Sequence, residues 1–181
     1  NYGVVGFDFK SIHDPLVARK SWFFFDDQYV CLGSGISTKS KNEVNTTINQ
    51  CLLNGAVNIS SKGKSRKLDN GSQVYHDIEW IHHDNVAYFL PVSGDIELHN
   101  DFSEGSWWRI NRQIDSSKDQ ISKEVFKLWI DHGVSPNNES YEYIVRPNTN
   151  LDELEKGKVT NPIDIISKSS IIVVSHIEPH F

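Results

Sequence analysis

Methionine is absent from all 181 residues, position 1 included. A translated chain begins with Met, so the sequence reads as a processed piece or a fragment of something longer. Cysteine is nearly absent: Cys31 and Cys51 are the two present, too few for a disulfide scaffold. Each sits in an apolar, strand-like run, which suits buried free thiols. A disulfide would require the two strands to lie side by side. No apolar run approaches the roughly 20 residues that span a bilayer as a helix, and no leader-like segment opens the chain. Positive charge is also short, with 18 Lys and Arg against 24 Asp and Glu and a net charge of −6. Nucleic-acid binders usually carry a basic excess or a strong basic patch, so neither nucleic acid nor a membrane is expected as a partner. The one basic cluster is Lys62, Lys64, Arg66 and Lys67, in "SSKGKSRKLDNG". Its Ser, Gly and Asn neighbours mark a solvated hairpin loop.

Several catalytic signatures are missing too. There is no Ser-x-x-Lys, no Gly-x-Ser-x-Gly and no His-Glu-x-x-His. "GSGI" at 33–36 lacks the spacing and the following Lys-Ser/Thr of a phosphate loop. No metal and no cofactor is expected.

What is present is strand signal. Runs rich in Val, Ile, Thr, Phe, Tyr and Trp cover 2–9, 21–25, 28–33, 43–53, 73–80, 85–90, 95–101, 106–114, 122–132, 140–146 and 170–176. Asp26-Asp27, Gly33-Ser34-Gly35, Asn54-Gly55, Asn70-Gly71, Ser93-Gly94, Glu104-Gly105 and Pro136-Asn137-Asn138 separate them. One helix is predicted near 150–156, with Thr149 before Leu151, Asp152 and Leu154 and a stop at Gly157. Many strands and one helix give an all-β fold, a large antiparallel β-sandwich in a single domain. "WFFF" at 22–25 and "IIVV" at 171–174 are continuously apolar and are expected as central strands covered on both faces.

Four groups of residues invite a chemical reading. In "IHHDNVAYF", His82 and His83 are adjacent, so on a strand they point to opposite faces and cannot share a metal. The segment reads as a loop with its turn at Asp84-Asn85, and a ligand or catalytic role stays open. His176, Glu178 and His180 alternate in "HIEPHF" and could share a face, although the position reads as a fraying tail. Trp107 and Trp108 follow Glu104-Gly105. On a strand one ring would point inward and the other outward, and the outward ring would suit stacking on a sugar. Asp26 and Asp27 could be the paired carboxylates of glycoside hydrolysis, but neighbours on a tight turn diverge, and a hairpin turn accounts for them. Four Asn-x-Ser/Thr sequons, at Asn45, Asn58, Asn70 and Asn138, permit glycosylation.

An ordered series of blocks carries a resemblance. "ARKSWFFFDDQYVCLGSGI", "NEVNTTINQCLLNG", "WIHHDNVAYFLP", "EGSWWRIN", "FKLWIDHG" and "SYEYIVRPN" follow one another between about residues 2 and 176. Together they resemble the central β-sandwich of the lyases acting on hyaluronate, chondroitin and xanthan, polysaccharide lyase family 8. "CLGSGI", "VNTTINQC" and "WIHHDNVAYFLP" look closest to the chondroitin AC and hyaluronate branch. The resemblance implies a galactose-mutarotase-like supersandwich, and residues 1–181 as one domain of a longer lyase, without its N-terminal helical toroid and C-terminal β-domain. It implies β-elimination at a uronic acid of an acidic polysaccharide, and an extracellular or periplasmic site of action. The family's catalytic Asn, His, Tyr and Arg lie in the helical domain, and an acidic residue lies in an Asn-Gly-Glu-Asn-type motif. Neither occurs here, so no catalytic residue is assigned. Trp107, Trp108, His82 and His83 are the candidate substrate contacts, and the chain alone is expected to be inactive. The alternative is a non-catalytic carbohydrate-binding or interaction module.

Overall fold

The computed structural model describes residues 2–91, 94–159, 163–168 and 172–176. In chain order the strands are β1 (Gly3–Lys10), β2 (Val17–Phe24), β3 (Tyr29–Ser37), β4 (Glu43–Leu52), β5 (Asn58–Ser61), β6 (Lys64–Lys67), β7 (Ser72–Tyr75), β8 (Ile78–His83), β9 (Val86–Phe89) and β10 (Ile96–Gly105). They continue with helix α1 (Trp107–Ile110), β11 (Ile121–Val134), β12 (Glu139–Arg146), helix α2 (Leu151–Glu155), β13 (Ile163–Lys168) and β14 (Ile172–His176). Eight strands form a large sheet in the order β1-β2-β3-β12-β9-β8-β5-β6, and four form a small one, β4-β11-β10-β7. β13 and β14 make a separate hairpin. Among the described residues the strand pairings are all antiparallel.

The strand period of two sorts the side chains onto two faces. Between the sheets, Cys31, Ile59, Ile81, Tyr88, Tyr141, Tyr143 and Val145 meet Ile96, Leu98, Phe126, Leu128 and Ile130. The large sheet also buries its other face: Val30, Leu32, Trp80, Ala87, Phe89 and Ile144 pack with Leu154 of α2 and Ile163 of β13. The double cover falls on β3, β12, β9 and β8, at the centre of the large sheet.

That placement corrects the reading of "WFFF". Trp22 packs on the inner cluster, and Phe23 and Phe25 pack on the outer one. Phe24, however, is 42% exposed. β2 is separated from solvent only by the edge strand β1, whose Val4, Val5 and Phe7 are themselves exposed, so aromatic content alone did not make it a central strand. The apolar run at 171–174 overlaps β14, which pairs with β13.

Glycine and left-handed positions set the breaks. β3 does not end at Gly33 but runs on to Ser37. Gly33 pairs with Tyr141 of β12, and a Cβ there would lie 2.1 Å from the Tyr141 ring. Only a bare α-carbon lets that ring cross the strand. The predicted strand 73–80 is two strands in two sheets, split at Asp77 with φ 55°. The basic cluster caps and forms a hairpin: Lys62 and Gly63 take positive φ, and Lys64, Arg66 and Lys67 lie on the exposed strand β6. Two short strands here, and β13, carried too little periodicity to be recognised.

The predicted strand 106–114 does not exist. β10 and β11 pair with each other as far as Gly105–Ile121, so residues 106–120 have no strand to join. They form a surface excursion that includes the single turn α1. The predicted helix near 150–156 is α2, with Asn150 rather than Thr149 as its cap, accepting from the Asp152 N–H. Cys31 is buried and Cys51 half-buried, and both are free thiols.

Candidate functional site

His82 and His83 lie on β8 and not in a loop; the turn begins one residue later. Asp84 and Asn85 have φ of 49° and 60°, the two positive values that let a two-residue hairpin match strand twist. Strand geometry sends the two rings to opposite faces, as the sequence required. Both are buried.

His83 faces the inter-sheet core. The Asn54 backbone N–H donates to its Nε2 at 3.0 Å. Nε2 is therefore unprotonated, and the neutral ring carries its hydrogen on Nδ1, 4.0 Å from Cys51 Sγ. Its ring stacks on Phe126 at 4.4 Å. Burial lowers the His83 pKa, partly offset by Asp84. Burial also raises the Cys51 thiol, and it pushes the Tyr88 hydroxyl up to about 12 although Asn49 Nδ2 donates to it at 2.6 Å. A proton donor facing sulfur cannot also deprotonate it. His83 and Tyr88 are therefore enclosed in a neutral hydrogen-bond network, with Asn49 and Cys51 half-buried at its margin.

His82 faces the other way. Its Nε2 lies 2.9 Å from the Thr149 carbonyl, to which an N–H there donates. Among the described residues its buried Nδ1 has no hydrogen-bond partner. The Thr149 N–H donates to the Asn85 carbonyl at 2.8 Å. The ring thus ties the segment entering α2 to the β8–β9 hairpin, a positional duty.

The acidic turn behaves as a turn. The Phe25 N–H donates to the Gln28 carbonyl at 2.9 Å across Asp26 and Asp27. Asp27 pairs with Arg146 at 2.5 Å at the end of β12. Beside this pair lies a cavity of about 520 Å³ lined by Phe24, Phe25, Tyr29, Arg146, Pro147 and Asn148 as well as the turn. Each carboxylate has an interaction partner, which is not the arrangement of an acid and a nucleophile facing one sugar bond.

Trp107 and Trp108 are the surface-borne pair. They open α1, which buries no residue, so the expectation of one inward ring fails with the strand that required it. Trp107 is 59% exposed. Trp108 has the Lys118 ammonium 4.8 Å and the Arg112 guanidinium 5.7 Å from its ring centre, within cation–π range. The Trp108 N–H donates to the Ser117 carbonyl at 2.9 Å, and the Asn111 N–H to the Trp107 carbonyl at 2.8 Å. Arg112 and Lys118 went unnoticed in the sequence. Arg112 lies past the end of α1, beyond the extended Asn111, so its contact with Trp108 depends on the path of the excursion and has no local spacing that would announce it. Glu178 and His180 lie outside the described residues. Among the described residues no group of three His, Cys, Asp or Glu could hold a metal.

Residues 1–158 match the family model of polysaccharide lyase family 8, super-sandwich domain. The chain is 38% identical over 165 residues to the chondroitinase-AC of Pedobacter heparinus, covering 91% of this chain and 23% of that protein. It is 28% identical to the xanthan lyase of Bacillus sp. strain GL1, covering 93% of this chain and 19% of that protein. A solved chondroitinase AC lyase, in a study of its oligosaccharide complexes, superposes with a TM-score of 0.85 at 34% identity, over 97% of this chain and 25% of that one. The chain spans about a quarter or less of the length of these relatives.

Proposed function

We propose, from the premise that the chain belongs to polysaccharide lyase family 8, that it is the sandwich portion of a lyase cleaving uronic-acid polysaccharides by β-elimination. On this reading residues 1–181 form one domain of a longer protein, beside a helical domain and a further β-domain, acting outside the cytoplasm in an extracellular or periplasmic space. The match over residues 1–158 carries the reading.

Elimination sets definite demands. The uronate carboxylate must be neutralised so that the C5 proton becomes acidic. A base removes that proton, and an acid protonates the departing oxygen. Of the groups with proton chemistry, His83 and Tyr88 form a cluster, but both side chains are buried and hydrogen-bonded, while His13, His76 and His99 stand apart from it elsewhere in the fold. On this reading the proton-moving groups belong to another part of the parent protein. This chain is the scaffold and one wall of the cleft, with Trp107 and Trp108 as its contacts to substrate.

The assay follows the ultraviolet absorbance of the unsaturated uronate formed from hyaluronate or chondroitin. The 181-residue chain should give no product, and the longer gene product that contains it should give product steadily. Turnover by the short chain that is abolished in Tyr88→Phe, which keeps the packing and removes one hydroxyl, would overturn the reading and move the active site into the sandwich.

A further inference from the structure

The excursion 106–120 contains more exposed apolar surface than a closing loop needs. Ile110 is 80% exposed, Ile114 is fully exposed and Trp107 is 59% exposed. A loop of this length with its own hydrogen bonds is more often functional than connective. Its internal order is real: besides the bonds to Ser117 and Trp107, the Ser116 N–H donates to the Gln113 carbonyl at 3.0 Å, and Ser117 Oγ donates to Asp119 at 2.8 Å. At its base Gln120 Nε2 donates to Glu104 at 2.9 Å. Two of the nearby carboxylates, Asp119 and Glu104, are thus engaged within the excursion; Asp115 is exposed. The cations are arranged differently. Arg112 and Lys118 both lie against the Trp108 ring, which fixes two long side chains that would otherwise sweep solvent. Arg109 stands exposed on the same turn.

We propose that residues 106–120 form a site for an anionic sugar, in which the open face of Trp107 receives a sugar ring while Arg112 and Lys118, gathered on Trp108, take the carboxylate or sulfate of that unit or its neighbour. The proposal rests on the polysaccharide reading above and adds to it a charge selectivity. A stacked ring supplies affinity without regard to charge. Two cations held close together favour a polyanion over a neutral polymer, and salt screens that preference, with a Debye length of about 8 Å at physiological ionic strength. The charge complementarity chooses a polyanion over a second protein surface as occupant. The chain's net charge of −6 leaves local cations to decide where a polyanion binds; the other exposed cluster is Lys62, Lys64, Arg66 and Lys67 around β6, and the variants below separate the two.

Tryptophan fluorescence of the 181-residue chain, titrated with chondroitin sulfate, hyaluronate and neutral dextran, tests this. Both anionic polymers should bind, dextran should bind at least about tenfold more weakly, and added salt should weaken the anionic binding. Trp107→Ala should lose about tenfold toward chondroitin sulfate. Arg112→Gln combined with Lys118→Gln should lose affinity and flatten the salt dependence. Neither variant should shift the melting temperature, because α1 buries nothing. Equal binding of dextran, unchanged affinity in both variants, or a wild-type dimer that Trp107→Ala dissociates while polymer binding is nil would each overturn the site. An active parent enzyme with no binding by the excursion removes this site alone. Binding here with an inactive parent removes the lyase reading and leaves the site standing.

Discussion

A single hydrogen bond decides what His83 can do. Because the Asn54 backbone N–H already points at Nε2, protonating the ring would set one donor against another in a buried space. Burial, the largest cause, lowers the pKa for the same reason. His132 is lowered by burial too, with Glu139 and Asp131 working against it and Thr46 Oγ1 at 2.8 Å from its ring nitrogen. The sign follows from linkage. An unfolded histidine takes up its proton near pH 6.5, whereas these two resist it when folded. Their contribution to stability is complete above about pH 6.5 and is lost as the pH falls below that value toward their folded pKa values. The urea midpoint should be flat around pH 7 to 8 and should drop on the acid side; it should fall again above about pH 9, where the unfolded chain ionises thiols and phenols that burial keeps protonated in the fold. Ring-proton NMR should find His83 titrating below about 6.5; titration at about 6.5 would show that the ring is solvated, and titration above it that the Asp84 carboxylate outweighs burial. The sequence supplied the pair and the strand argument that splits it between faces. It could not supply Asn54, which comes from the segment after β4.

At the level of elements, turn chemistry was easier to read than strand chemistry. Asp84-Asn85 and Asp26-Asp27 were legible because each is local. The strand at 106–114 was not. Its Trp and Ile residues have high β-propensity, but propensity counts only when a partner strand is available, and β10 and β11 use each other. Gly33 shows the opposite case. It looked like punctuation and is instead a contact between β3 and β12, where a Cβ would meet the buried Tyr141 ring at 2.1 Å. Gly33→Ala should therefore destabilise the chain by about 1–3 kcal/mol, since overpacking in a closed core cannot be relieved cheaply. Gly6 in β1 has nothing within 4 Å of its Cβ position, so Gly6→Ala should change stability by less than about 0.5 kcal/mol. Urea denaturation of both variants checks the pair. Equal effects would mean that Tyr141 moves aside and that the glycine is not needed there.

For the whole molecule, the two thiols sit in parts of the sandwich that should open differently. Cys31 lies in β3, between β2 and β12 near the middle of the large sheet, with core on both faces of that strand. Burial pushes its thiol up to about 11. Cys51 lies near the end of β4, an edge strand of the small sheet, and is half-buried. All-β character, the sandwich and the free thiols could be expected from composition and alternation. Which strand is central could not, because that depends on pairings far apart in sequence, such as β12 coming between β3 and β9. Edge strands open locally with small free energies, whereas central strands open with the whole fold. A disulfide reagent added to folded protein should thus modify Cys51 slowly and at a rate that urea below the transition hardly changes. Cys31 should react only as fast as global unfolding allows, with its rate rising steeply with urea. Fully denatured protein, without reductant, should titrate two thiols. If Cys31 reacted at the Cys51 rate in the absence of urea, the centre of the large sheet would be opening locally, and the rigid scaffold assigned to this chain would have to be placed elsewhere.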